Sequence, residues 1–141
     1  MPVTDDDQLR KILEQARTIA VVGASDSPQK DAHEIPGYLQ EQGYRIVPVN
    51  PARDEVLGVA SPGDLREIDG PVDVVDVFRP AEEAPQIARA AVDIGAAVLW
   101  LQIGVRSDEA AAIAEDAGLT VVMDTCIGAT HRRLGIGPVS E

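Results

Sequence analysis

The sequence predicts an α/β protein built on a five-stranded parallel sheet with helices on both faces. Three observations predict it. Five short apolar runs, Thr18–Val22, Ile46–Val49, Val72–Phe78, Ala97–Leu101 and Leu119–Met123, have the length and composition of strands. Segments with helical spacing, several ended by glycine, alternate with them. The runs are close to continuously apolar, as strands covered on both faces require. Right-handed crossovers then favour the strand order 3-2-1-4-5, half of a dinucleotide-binding sheet.

Taken in order, Thr4-x-x-Asp7 reads as the cap of a first helix, with Leu9, Ile12, Leu13 and Ala16 on one face. After the first strand, a helix is expected over about Asp31–Gln42, stopped by Gly43, with Pro36 in its first turn or two. Asn50–Pro71, rich in proline, glycine and charge, reads as an irregular crossover with a short helix near Asp64–Ile68. A helix over Pro80–Ile94 follows the third strand, with Pro80 near its start. Ser107 caps the next helix, Asp108 and Glu109 suit the positive end of its dipole, and Gly118 ends it. A helical tail is expected over the last residues.

The chain has 141 residues, 45% of them apolar and 26% charged, and is expected to be one domain spanning 1–141. With aromatics at only 3%, the core must rest on Val, Ile, Leu and Ala. A formal net charge of −12 argues against general binding to nucleic acid or anionic membrane. A small anion needs local cations and backbone N–H groups instead. The acidic N-terminus lacks the basic and apolar regions of a signal peptide, and the longest apolar stretch, Ile94–Val105, is too short to span a bilayer. A cytoplasmic location is the expectation. One cysteine and two histidines argue against a disulfide or a zinc site.

In this architecture ligands bind beyond the carboxyl ends of the strands. The residues expected there are Gly23-Ala24-Ser25, Asn50-Pro51-Ala52-Arg53, Phe78-Arg79-Pro80, Gln102-Ile103-Gly104 and Asp124-Thr125-Cys126. Gly23 permits a tight turn, but Ser25 and Pro28 stand where a dinucleotide fingerprint has its other glycines. Asn50 replaces the carboxylate with which NAD enzymes hold ribose hydroxyls. Arg53 reads either as a solvated surface arginine or as the partner of a ribose phosphate, which NADP and coenzyme A both carry. Phe78 reads as core or as a stacking surface, and Arg79 places a cation at a strand end.

These residues carry a resemblance. Gly23-Ala24-Ser25, Gly43-Tyr44-Arg45-Ile46-Val47-Pro48-Val49-Asn50-Pro51, Asp76-Val77-Phe78-Arg79, Trp100-Leu101-Gln102-Ile103-Gly104-Val105 and Gly118–Cys126 resemble the family of small stand-alone CoA-binding proteins. The similarity runs from about Thr18 to Leu134. That family is similar to the CoA-binding domain of succinyl-CoA synthetase alpha subunits and of ATP-citrate lyase. The resemblance implies a Rossmann-like domain that binds coenzyme A or an acyl-CoA. It implies that Gly23–Ser25 holds the pyrophosphate region and that Pro51 and Arg53 flank the 3′-phosphate. Phe78, Arg79 and Pro80 would line the adenine and pantetheine path, with Gln102 and Gly104 beside the pantetheine arm. Lys30, in the glycine-loop segment, adds a candidate phosphate contact that no motif specifies.

The synthetase's phosphohistidine domain has no counterpart here, and His33 and His131 read as surface or packing residues. No set of residues with the spacing of a hydrolytic triad, a carboxylate pair or a metal site appears. Cys126 reads either as a small buried hydrophobe or as a thiol within reach of pantetheine, forming a mixed disulfide with CoA. Arg132-Arg133 reads as a solvated basic pair or a further phosphate contact. The expected function is non-catalytic binding of CoA or acyl-CoA, with a homodimer left open. The alternatives are the ligand-binding half of a two-chain acyl-CoA synthetase, an NAD(P)-binding regulator, and an interaction module that has lost its ligand.

Overall fold

The computed structural model describes residues 1–140. Its elements are α1 (Asp6–Gln15), β1 (Thr18–Val22), α2 (Asp31–Glu41), β2 (Arg45–Val49), the short strands β3 (Glu55–Val56) and β4 (Val59–Ala60), β5 (Val74–Val77), α3 (Ala84–Asp93), β6 (Val98–Leu101), α4 (Asp108–Asp116), β7 (Thr120–Val122) and α5 (Ile127–Arg133). Single 3₁₀ turns lie at Leu65–Glu67 and Ala81–Glu83. The first helix is capped by Asp5, whose carboxylate accepts from the Gln8 N–H at 3.1 Å, and not by Thr4 as expected. Ser107 caps α4 by accepting from the Ala110 N–H at 3.1 Å.

The five parallel strands are arranged β2-β1-β5-β6-β7. Numbering the five expected strands 1 to 5, the order is 2-1-3-4-5, which corrects the expected 3-2-1-4-5. The reason lies in Pro48. Arg45 donates its N–H to the Arg17 carbonyl and Val49 accepts from the Gly23 N–H, so the odd residues of β2 face β1. Ile46 and Pro48 therefore face outward, and Pro48 has no N–H to give a further strand. A proline so placed makes β2 an edge. The chain from Asn50 onward instead forms the β3–β4 hairpin, unforeseen from sequence, and the third long strand, β5, pairs with the free side of β1. The topological switch point thus lies between β1 and β5, with Gly23 at one lip and Arg79 at the other.

Side-chain alternation divides the core. Ala20, Val75, Val77, Leu99, Leu101 and Val121 pack against α3 and α4, whose buried faces are largely alanine. Ile19, Val21, Val74, Trp100 and Val122 pack against α1, α2 and α5. Small helix faces on one side let the helices approach closely, which is how a core with so few aromatics fills its space. At the far edge, the Val3 N–H donates to the Val121 carbonyl at 2.8 Å, so the N-terminal segment shields β7. Among the described residues no helix is long and apolar enough to cross a membrane.

Candidate functional site

A cleft of about 550 Å³ opens over the carboxyl ends of β1 and β2 and reaches across to the end of β5. Its floor is Val22, Gly23 and Val49, and its walls come from Ala24–Ser27 and Lys30, from Asn50–Arg53 with Gly63, and from Arg79, Glu83 and Ile87. Gly23 is held at φ +90°, a conformation that side chains disfavour. A Cβ there would also stand 2.8 Å from both the Phe78 carbonyl oxygen and Arg79 Cδ. The missing side chain is the space across which the Arg79 stem lies.

Helix α2 is tied to this turn by its own irregularity. Pro36, in its second turn, cannot donate to the Ala32 carbonyl four residues back. That carbonyl accepts the Ser25 N–H instead, at 3.0 Å. Gly23 donates to Val49 at 3.0 Å, so of the three amides of Gly23-Ala24-Ser25 only that of Ala24 has no hydrogen-bond acceptor among the described residues. The Ser25 hydroxyl accepts from the Ser27 N–H at 3.0 Å. Asn50 spends both ends of its amide on the scaffold. Its Nδ2 donates to the Ala24 carbonyl at 2.9 Å and its Oδ1 accepts from the Ala52 N–H at 2.8 Å, which ties the β1 loop to the β2 loop.

Three cations enter the cleft from three segments: Lys30 ahead of α2, Arg53 after β2 and Arg79 after β5. Two of them are paired. Arg53 Nε donates to Asp26 Oδ2 at 2.6 Å, and Arg79 donates from Nε and Nη2 to the two oxygens of Glu83 at 3.1 and 2.7 Å. The hydrogen bond from Arg53 holds the Asp26 carboxyl below its ordinary pKa, and that from Arg79 does the same for Glu83. Lys30 makes no ion pair among the described residues.

The structure brings Gly23, Ala24, Ser25, Lys30, Asn50, Pro51, Arg53 and Arg79 into one cleft. It places Phe78, Pro80, Gln102, Gly104 and Cys126 outside it. Phe78 follows Val74 and Asp76 in the alternation and packs against the α1–α2–α5 core. Gln102 is buried. Its Nε2 donates to Asp76 Oδ1, and its Oε1 accepts from the Ile127 N–H at 3.4 Å. The Gly104 N–H donates to Asp124 Oδ1 at 2.7 Å. Cys126 is half-buried, and its Sγ accepts from the Ala129 N–H at 3.4 Å as the cap of α5. His131 is buried between Tyr38 and the Gly137 carbonyl, 2.6 and 3.0 Å from its ring nitrogens. Sequence reasoning missed Asp26 and Glu83. Glu83 had a signal in its spacing of four from Arg79, whereas Asp26 meets Arg53 only through the fold.

Asp76 is the other unusual group. It is fully buried in the sheet, Oδ2 has no hydrogen-bond partner among the described residues, and burial pushes its pKa up to about 8. Burial on the α5 side of the sheet thus favours its neutral form.

Comparison with known proteins gives this geometry its context. The family described as CoA binding domain matches residues 17–132. The uncharacterized protein YneT of Bacillus subtilis is 43% identical over 124 residues, covering 88% of this chain and 92% of YneT. A hypothetical protein from Pyrococcus horikoshii OT3 superposes with a TM-score of 0.91 at 36% identity, covering 95% of this chain and 96% of the other. The alpha subunit of the ADP-forming acetate–CoA ligase II of Pyrococcus furiosus is 39% identical over 71 residues, which is 50% of this chain and 16% of that protein.

Proposed function

Since the chain belongs to the CoA-binding domain family, we propose that it binds coenzyme A or an acyl-CoA in the cleft over β1 and β2 without itself catalysing a reaction. One observation carries the reading. In a chain of net charge −12, Lys30, Arg53 and Arg79 converge from three segments on a single glycine-turned cleft. Cations so gathered against the overall charge suit a ligand with several phosphates. Arg53, after β2, is assigned to the 3′-phosphate. Arg79, lying across Gly23 at the switch point, is assigned to the pyrophosphate together with the Ala24 amide and Lys30. Asn50 shapes the site by joining its loops, and Pro51 supplies apolar cover.

The non-catalytic part of the reading rests on what lines the cleft. It contains neither cysteine nor histidine, and its two carboxylates are each engaged by an arginine. Pantetheine would leave the cleft past Arg79, toward the strand ends where Phe78, Pro80, Gln102, Gly104 and Cys126 lie. A second reading, favoured by the acetate–CoA ligase relative, makes the chain the ligand-binding part of a two-chain synthetase. It predicts a stable complex with a second protein and acyl-CoA formation only on mixing.

A thermal-shift panel of CoA, acetyl-CoA, NAD, NADP and ATP tests the proposal. A ligand selective for the native state stabilises by about 2.7 kcal/mol at a hundredfold excess over its Kd. CoA and acetyl-CoA are expected to raise Tm and NAD to leave it unchanged. A shift with NADP but with no CoA species overturns the reading.

A further inference from the structure

The cleft's two arginines are not free to meet a ligand as they stand. A guanidinium grips a phosphate best through two parallel N–H donors on one edge. Arg53 spends Nε on Asp26 and Nη1 on the Ala52 carbonyl, at 2.6 and 2.9 Å. Arg79 spends Nε and Nη2 on Glu83. Each arginine thus has its Nε edge occupied by a carboxylate that also lines the cleft. Three cations against two carboxylates leave little net positive charge for an incoming phosphate.

Both pairs lie in the open, with side-chain exposures of 50% and 47% for Arg53 and Asp26 and of 45% and 43% for Arg79 and Glu83. Such pairs exchange easily for a stronger anion. The arginines also have supports besides the carboxylates. Arg79 packs its stem over Gly23, and Arg53 is held by the Ala52 carbonyl. Removing a carboxylate therefore takes away a competitor more than it takes away order.

Building on the CoA reading, we propose that Asp26 and Glu83 set the affinity and selectivity of the cleft as internal stand-ins for phosphate. Each occupies one arginine until a ligand phosphate replaces it. Asp26 guards the 3′-phosphate position and Glu83 the pyrophosphate position. A ligand must displace both to gain full affinity, which favours one carrying two separated phosphate groups over a singly anchored anion.

The test is calorimetric titration of the wild type, Asp26→Asn and Glu83→Gln with CoA, dephospho-CoA and inorganic pyrophosphate. Losing a competing surface pair is expected to tighten binding about two- to fivefold. Asp26→Asn should tighten CoA and leave dephospho-CoA and pyrophosphate unchanged. Glu83→Gln should tighten all three. If wild type binds CoA and either variant binds it equally or more weakly, the stand-in role is overturned and the CoA reading stands. If wild type does not bind CoA yet Glu83→Gln binds pyrophosphate more tightly than wild type, the CoA reading falls and the role of Glu83 stands. No binding of any probe by any variant overturns both. Unchanged Tm values without ligand show that the variants are folded.

Discussion

The carboxyl edge of the sheet has two halves built from the same kind of strand end but finished in opposite ways. Over β1 and β2 the loops leave a cleft with Lys30 and the Ala24 amide unpaired among the described residues and two arginines whose ion pairs are to exposed carboxylates. Over β6 and β7 the polar groups are closed on one another. Asp124 accepts from the Gly104 N–H and from Arg106, which together hold its carboxyl below the usual range. Trp100 Nε1 donates to the Thr125 carbonyl at 2.8 Å, and Gln102 links Asp76 to the start of α5. The difference teaches that strand ends of one kind either leave donors and cations over or spend them within the scaffold, according to the loop and helix that follow. The second half is stiffened by hydrogen bonds that occupy its polar groups.

The largest expected effect breaks the closed half. Asp76 has an ordinary carboxyl pKa when unfolded and about 8 when folded, so the native state binds the extra proton between those values. Its contribution to stability is therefore full below the unfolded pKa and is lost as pH rises to about 8, at a slope of about 1.4 kcal/mol per pH unit for this group alone. Asp76→Asn keeps an acceptor for Gln102 and cannot ionise. Urea unfolding from pH 5 to pH 8 should show the wild type losing stability relative to the variant, and parallel profiles would refute the assignment.

Next in size is a matched pair of glycine substitutions. Gly23→Ala meets both an unfavourable φ and the contacts with Phe78 and Arg79, at a cost of roughly 1–3 kcal/mol together with a large loss of CoA affinity. Gly104, at φ +87°, has nothing among the described residues within 4 Å of a new Cβ. Gly104→Ala should cost about 1 kcal/mol of stability and leave CoA affinity unchanged. Equal binding losses would erase the distinction between the halves. Smaller still, Arg53→Ala should weaken CoA about tenfold, the worth of one charge-assisted hydrogen bond, and spare dephospho-CoA. Equal weakening of both ligands would remove Arg53 from the 3′-phosphate. The smallest expectation is none at all. With Cys126 capping α5 away from the cleft, intact mass after CoA incubation without reductant should show no CoA adduct, and a reductant-sensitive one would extend the site into the closed half.

What the sequence disclosed follows the range of the interactions. The five long strands and the first four α-helices were legible because apolar runs, glycine stops and Ser107 act within a few residues, and the expected helical tail is realised as α5, which ends at Arg133. The cleft at the ends of β1 and β2 was legible because strand ends in a parallel sheet converge wherever the strands lie. The strand order was not read, although Pro48 carried the information, because its meaning depends on which way its backbone faces. Asp26 and Glu83 escaped notice because a carboxylate's role as counterion is decided by where an arginine elsewhere in the chain comes to rest. Phe78 and Gln102 were assigned to the ligand from their place just past a strand. The alternation of side chains places both on the α1–α2–α5 face, a position that strand-end reasoning alone does not give.

Pro48 also bears on how one molecule meets another. An exposed strand edge is a template on which a neighbouring chain can zip, each backbone pairing extending the sheet from copy to copy. With a pyrrolidine nitrogen at Pro48, near the C-terminal end of β2, such a zipper loses a rung on the strand's outer side. The proline that makes β2 an edge thereby also leaves that edge one donor short as a template for a second chain.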